Sequence, residues 1–197
     1  TQRIEREEAT FRLQVDATHL DVWPAASSSA ELAVTNIGEE TQLYNVDVQG
    51  LPRGWARINR PRLEVAPNET AYVLINIKPP RRPDNAPATY PTQINVYGDD
   101  HPEIILTAPL DVRIRGFSGF GIALARPFVE NRESIRIFLH NQGSATLDIR
   151  LRGTSPDNTL TLRLPDGVLR LAPGQRMLVT GEATPRQRVL LGQPSTH

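Results

Sequence analysis

The sequence predicts an all-β chain made of two β-sandwich domains in tandem, the second lacking its last strands. Three observations carry this. Apolar residues alternate in short runs, as in Leu32 and Val34, in Tyr44, Val46 and Val48, and in Val73, Ile75 and Ile77; period two is the pattern of a strand with one buried face. Turn motifs recur at a nearly constant offset. Asn36-Ile37-Gly38 returns as Asn141-Gln142-Gly143, Ala66-Pro67-Asn68-Glu69 as Ala172-Pro173-Gly174-Gln175, and Pro80 as Pro185, which marks an internal repeat. After Pro80 the first copy runs on to Gly116 and supplies two more strands, whereas 12 residues follow Pro185.

Residues 1–10 are charged and read as a lead-in segment, with a helical turn as the alternative. The first domain, residues 11–115, opens with Phe11, Leu13 and Val15 on one face of a strand. A short edge segment at residues 20–23 ends at Pro24, where a missing ladder donor costs nothing. Residues 25–29 form a loop of small side chains. Strands follow at about residues 31–35, 44–49, 55–59, 70–78, 90–97 and 103–115. Asn36-Ile37-Gly38 reads as a turn, with an Asn that tolerates left-handed geometry and a Gly without a Cβ, and Pro67 is expected to fix the first corner of a tight turn. Trp55, after the corner Leu51-Pro52-Arg53-Gly54, is expected to be a structural plug between the sheets. Seven or so short strands with no helical period read as an immunoglobulin-like sandwich.

Residues 116–121, Gly-Phe-Ser-Gly-Phe-Gly, form the linker. Three glycines loosen it, while Phe117 and Phe120 are structural residues expected to pin it to both domains, giving a short hinge with restricted motion. A phosphate-binding loop would need a strand before it and a helix after it, and neither pattern is present. The second domain, residues 122–197, has strands at about 122–125, 134–140, 146–152, 159–164 and 176–183. Without its last two strands, the strand at 146–152 has an open edge. Leu147, Ile149 and Leu151 then line an acceptor groove, to be filled by further strands of a parent chain or by another subunit.

The runs VTNIG, YNVDVQGLPRGW, LEVAPNETAYVLINIKPP and ATYPTQINVYG resemble the bacterial and archaeal immunoglobulin-like modules found beside α-galactosidase catalytic domains, the NPCBM-associated family. The resemblance covers residues 11–115 well and 120–197 more weakly. It implies the sandwich fold, a place in a large surface or signalling-associated protein, and an extracytoplasmic or cell-surface setting. The second copy departs from the pattern, having TSPDNTLTLRLP where the Leu-Pro-x-Gly-Trp corner would stand.

Composition narrows the remaining classes. The 197 residues contain no cysteine, so neither an inter-sheet disulfide nor a thiolate metal site is available. Net charge is zero, with 12 basic and 16 acidic residues in 1–116 against 10 and 6 in 117–197. Neither half has the one-sided field that nucleic-acid binding requires. No apolar run approaches the roughly 18 to 20 residues that span a bilayer, so no membrane insertion is expected. The charged opening without Met reads as that of a processed chain or an excised fragment.

Candidate chemistry is sparse. No Gly-x-Ser-x-Gly elbow occurs, and the four histidines, His19, His101, His140 and His197, are scattered, so no nucleophilic triad is expected and the chain reads as a non-enzyme. Glu31, Asp47 and Asp148 fall at outward strand positions. Asp99, Asp100 and His101, with Glu103 nearby, are the only candidate metal ligands, and the same residues make good turn composition; no cofactor is expected. For carbohydrate, the candidate rings are Trp23, Tyr72 and Tyr97, since Tyr44 and Tyr90 share register with inward aliphatics. Pro79-Pro80-Arg81-Arg82-Pro83 reads as a stiff loop or a polyproline ligand, and Asn68-Glu69-Thr70 is a glycosylation sequon. The sequence therefore predicts a non-catalytic structural spacer or protein-interaction module of a larger protein or assembly. A carbohydrate-binding accessory module is the alternative.

Overall fold

A computed structural model describes residues 1–5, 9–125, 133–155 and 158–186. The chain divides into two compact units, Thr1–Phe117 and Ser118–His197, and among the described residues every regular element is a strand. The first unit contains β1 (Gln2–Ile4), β2 (Phe11–Val15), β3 (His19–Val22), β4 (Ser28–Asn36), β5 (Gln42–Gln49), β6 (Ala56–Ile58), β7 (Arg62–Val65), β8 (Thr70–Ile77), β9 (Ala88–Gly98) and β10 (Ile105–Ile114). They form two five-stranded sheets in the orders β1-β2-β4-β8-β6 and β3-β10-β9-β5-β7. All neighbours are antiparallel except β3, which runs parallel to β10. This is an immunoglobulin-like sandwich, and its period-two residues meet in one core that includes Leu13, Leu32, Tyr44, Ile75, Ile94 and Leu110.

The second unit contains β11 (Phe120–Leu124), β12 (Glu133–Asn141), β13 (Leu147–Ile149), β14 (Leu160–Arg163), β15 (Leu169–Leu171) and β16 (Arg176–Pro185). One sheet has the order β11-β12-β16-β14, and β13 and β15 make a separate two-stranded ribbon. The repeat holds at the level of individual ladder pairs. Gln42 opposes Val65 and Tyr44 opposes Leu63 in the first unit, as Leu147 opposes Leu171 and Ile149 opposes Leu169 in the second. Phe11 opposes Asn36, as Phe120 opposes Asn141. Thus β11, β12, β13, β14, β15 and β16 correspond to β2, β4, β5, β6, β7 and β8. No described strand of the second unit corresponds to β3, β9 or β10.

The repeated turns have a shared mechanism. In Ala66-Pro67-Asn68-Glu69 the Glu69 amide donates to the Ala66 carbonyl at 3.1 Å with Asn68 at φ 62°. In Ala172-Pro173-Gly174-Gln175 the Gln175 amide donates to Ala172 at 3.0 Å with Gly174 at φ 71°. Both are proline-led turns whose third residue needs left-handed backbone, which Asn and Gly tolerate.

Several expectations are corrected. Residues 2–4 are an edge strand on β2, with Ile4 against the core; one apolar residue among charges gave no period to read. The short strands β7 and β15 were not anticipated, each being only three or four residues long. Asn36 has no left-handed backbone, since positive φ outside glycine falls at Ala25, Asn68 and Asn158 among the described residues. Its role is a side-chain one: buried, it donates to the carbonyls of Glu40 and Val65 and accepts from the Gly38 amide. Phe120 and Gly121 belong to β11 rather than to a connection. Phe117 lies within the first unit, 4.6 Å beneath the Arg81 guanidinium, a cation–π arrangement.

Candidate functional site

The site is the unfinished side of the second unit. In the first unit β5 pairs with β7 on one side and with β9 on the other. Its counterpart β13 pairs with β15 through Leu147, Asp148 and Ile149, and among the described residues its other edge has no partner. Residues 150–154 continue past Ile149 without a ladder. Backbone donors and acceptors along such an edge are a template for another strand.

The inner face is open too. Phe11, Leu13 and Val15 of β2 are 3%, 0% and 1% exposed, whereas their counterparts Phe120, Ile122 and Leu124 of β11 are 43%, 60% and 55% exposed. The chemistry and the ladder positions match, so the difference lies in what covers them: β10 packs against β2, and β11 has no such cover among the described residues. A cavity of about 430 Å³ follows, lined by Ile122, Leu124, Ile135, Leu151, Leu162 and Leu164 among others. Its volume is within the range of small-molecule pockets, but among the described residues Arg152 is the only ionisable group in its lining. A pocket that selects a polar ligand carries several convergent polar groups; this one presents an aliphatic trough beside a bare strand edge. Half-burying three large side chains again would contribute about 3 kcal/mol.

The ribbon carries its own electrostatics. Arg170 donates from Nε and Nη2 to Asp148 at 2.9 and 3.2 Å across the ladder, and these bonds hold the Asp148 carboxyl below the usual carboxylate range. Arg150 and Arg152, on the stretch just past β13, are exposed and have no hydrogen bond or ion pair with the described residues.

The residues singled out from sequence are dispersed differently. Ile149 and Leu151 pack against the second core, and Leu151 also lines the trough. Leu147 is half-buried opposite Leu171. Trp55 is buried and meets Tyr90 edge-on at 5.4 Å. Trp23 and Tyr72 are exposed and Tyr97 is half-buried, but they do not form a platform. Tyr72 is on the sheet opposite the other two, and Trp23 follows β3 near the Ile114 end of β10 while Tyr97 opposes Ile105 at the other end.

Asp99 is engaged by Asn45 and Arg62, whose bonds lower its pKa, and His101 Nδ1 lies 3.1 Å from Glu103. No group of three or more potential metal ligands is gathered among the described residues. His19 is 3.8 Å from Asp21; His197 lies outside the described residues. No helix among them is long and apolar enough to cross a membrane.

The missing last strands already imply a partly bare inner face on the opposite sheet; what sequence reasoning did not name is β11, with Phe120, Ile122 and Leu124, as the strand left bare. A signal was present: Phe11-Arg12-Leu13-Gln14-Val15 and Phe120-Gly121-Ile122-Ala123-Leu124 share their inward pattern, so both demand cover.

No family model matches the chain, and no curated protein matches it. Among solved structures it is similar to a family 123 glycoside hydrolase from Clostridium perfringens, 13% identical over 54% of this chain and 27% of that one, with a TM-score of 0.47. It is also similar to the E. coli chaperone DraB, 15% identical over 86% and 85% of the two chains with a TM-score of 0.36. A third similarity is to PapD-like domain 7 of human CEP192, 11% identical over 52% and 83% with a TM-score of 0.36. These are likenesses of fold. The chain spans about a quarter of the hydrolase's length.

Proposed function

We propose that the chain is a non-catalytic interaction module of the immunoglobulin-like type, and that its second unit works by accepting β-structure from another polypeptide segment. The observation that supports this is the contrast between β2 and β11: equivalent aliphatic residues are buried in one unit and bare in the other. An added strand satisfies the edge beside residues 149–154 and fills the trough in the same act, which is recognition by β-augmentation. The NPCBM-associated modules are the proposed relatives, on the residues that carry that resemblance.

Hydrogen exchange on the full chain tests the reading. The amides of residues 150–154 are expected to exchange far faster than those of their counterparts 45–49. Equal protection of the two segments in the chain alone would overturn it.

A second reading, carbohydrate binding, is favoured by one feature of the first unit. On the outer face of the β1-β2-β4-β8-β6 sheet, Arg12, Gln14, Thr35, Thr70 and the exposed Tyr72 border a polar trough of about 220 Å³. Cross-strand pairing sets Ala33 between Gln14 and Tyr72, and this small side chain forms the floor. A saturable loss of Tyr72 chemical reactivity on titration with soluble glycans supports that reading, and no response across a broad panel removes it.

A further inference from the structure

We infer that the segment completing the second unit is a β-hairpin, and that its first strand runs antiparallel to residues 149–154 and alternates aliphatic with acidic side chains. This rests on the proposed function and specifies its occupant. The first unit supplies the register. Tyr44, Val46 and Val48 of β5 face Gly98, Val96 and Ile94 of β9, and the outward residues Asn45 and Asp47 face Tyr97 and Asn95. Carried through the ladder correspondence, Ile149, Leu151 and Gly153 take the inward positions and Arg150 and Arg152 the outward ones, with Arg152 also bordering the trough.

The inward positions ask for aliphatic side chains, and the place facing Gly153 asks for a large one. A Cβ at Gly153 would stand 2.8 Å from Leu162 Cδ1, so Leu162 would have to shift to admit it.

The outward positions set the charge. Arg150 and Arg152 are exposed, two residues apart on the stretch that continues β13, and neither is paired with a described residue. Opposite charges directly across a ladder stabilise and like charges destabilise. The first unit has Asn45 and Asp47 there and accepts neutral partners; two arginines call for Asp or Glu.

Two strands are needed because one does not reach. In the first unit β9 sits beside β5, but the strand packed against β2 is β10. A single strand beside residues 149–154 leaves Ile122 and Leu124 bare. The two strands that do this work span Ala88–Gly98 and Ile105–Ile114, and residues 126–132 and 187–197 are each too short to supply both.

Three synthetic peptides added to the full chain test this. The first is the strand pair of residues 88–114 carrying Asn95→Glu and Tyr97→Glu, the second the same pair with Lys at both places, and the third only residues 88–98 with the two Glu. Affinity is read by fluorescence anisotropy, edge occupancy by hydrogen exchange at residues 150–154, and face coverage by thiol labelling of an Ile122→Cys variant. The acidic hairpin is expected to bind about tenfold tighter than the Lys form and to slow labelling at position 122. The single strand is expected to protect the edge amides and leave labelling unchanged.

Equal affinity of the two hairpins overturns the acidic assignment. Equal slowing of labelling by the single strand overturns the hairpin. If no peptide protects residues 150–154, the underlying reading fails as well. Protection that grows with chain concentration in the absence of peptide would make a second copy the occupant and overturn the inference.

Discussion

The side-chain amide of Asn141 donates to the carbonyl of Leu171 at 3.0 Å, joining the end of β12 in one sheet to β15 in the other. Asn36 makes the same bond to Val65 at 2.9 Å between β4 and β7. Both amides are fully buried, and both accept from the glycine two residues on at 2.9 Å. Each unit is thus stapled across its sheets by one asparagine. In the first unit the staple is one tie among many, because β9 and β10 also bridge the core. In the second it is a principal link between the four-stranded sheet and the β13–β15 ribbon.

Asn141→Ala and Asn36→Ala should each cost about 3 kcal/mol, since each leaves several buried backbone groups unpaired. The consequences should differ. Denaturant unfolding with hydrogen exchange should show the β13–β15 ribbon losing protection in Asn141→Ala while the rest of its unit stays folded. Asn36→Ala should lower the midpoint of the first unit without releasing a ribbon. A ribbon that stays protected without Asn141 would show that the aliphatic contacts alone hold it.

Ala25 has φ 68° in a turn where the Ala26 amide donates to the Trp23 carbonyl at 2.9 Å. A Cβ makes that backbone unfavourable by roughly 1 kcal/mol, a cost glycine avoids. Ala25→Gly should therefore hold or raise the melting temperature, although glycine in a loop usually lowers it. A clear drop would show that the turn carries no strain.

Trp55→Ala should cost the first unit about 3 to 5 kcal/mol, the range for deleting a large core aromatic. The indole is buried against Tyr90, and its carbonyl accepts from Lys78 at 2.8 Å, so the ring is lost while the backbone tie remains. Unchanged thermal unfolding would mark Trp55 as a surface residue in solution.

Much of this fold was legible because it depends on local pattern. Alternation placed β2, β4, β5 and β8, and the repeat placed β12 and β16 by their turns. What escaped depends on partners distant in sequence. The run from Gln2 to Ile4 is a strand because β2 offers it an edge, and β7 and β15 are strands because β5 and β13 pair with them, with the buried asparagines bonded to Val65 and Leu171. The candidate site was half legible. Counting strands exposed the missing edge beside Leu147, Ile149 and Leu151, but that the bare face is lined by Phe120, Ile122 and Leu124 required knowing which strand covers β2.

Tyr44 makes stability pH-dependent on the alkaline side. Burial raises its pKa above the ordinary 10.0, so the folded state holds the phenol proton more tightly than the unfolded state does. The contribution is complete below about pH 10 and is lost as the pH rises through the folded value. Tyr44→Phe keeps the ring contact with Phe11 at 4.8 Å and should change little at neutral pH. Above about pH 10 its first-unit midpoint should fall less with rising pH than that of the parent chain. Parallel curves would mean that Tyr44 does not titrate in the unfolding transition.

The sharpest comparison is between Leu13 and Ile122, which occupy the same position in β2 and β11. Leu13 is completely buried and Ile122 is more than half exposed. Leu13→Ala removes core methyl groups and leaves a cavity, costing about 2 to 5 kcal/mol. Ile122→Ala removes side-chain surface that largely faces solvent and should cost less than about 1 kcal/mol. Two-transition denaturant unfolding of each variant gives both values in one chain. When the segment that fills the trough is bound, Ile122 joins a core as Leu13 does, and the cost of Ile122→Ala should rise toward that of Leu13→Ala. Equal costs in the free chain would mean that Ile122 is already covered, and the contrast between the two units on which the proposed function rests would be gone.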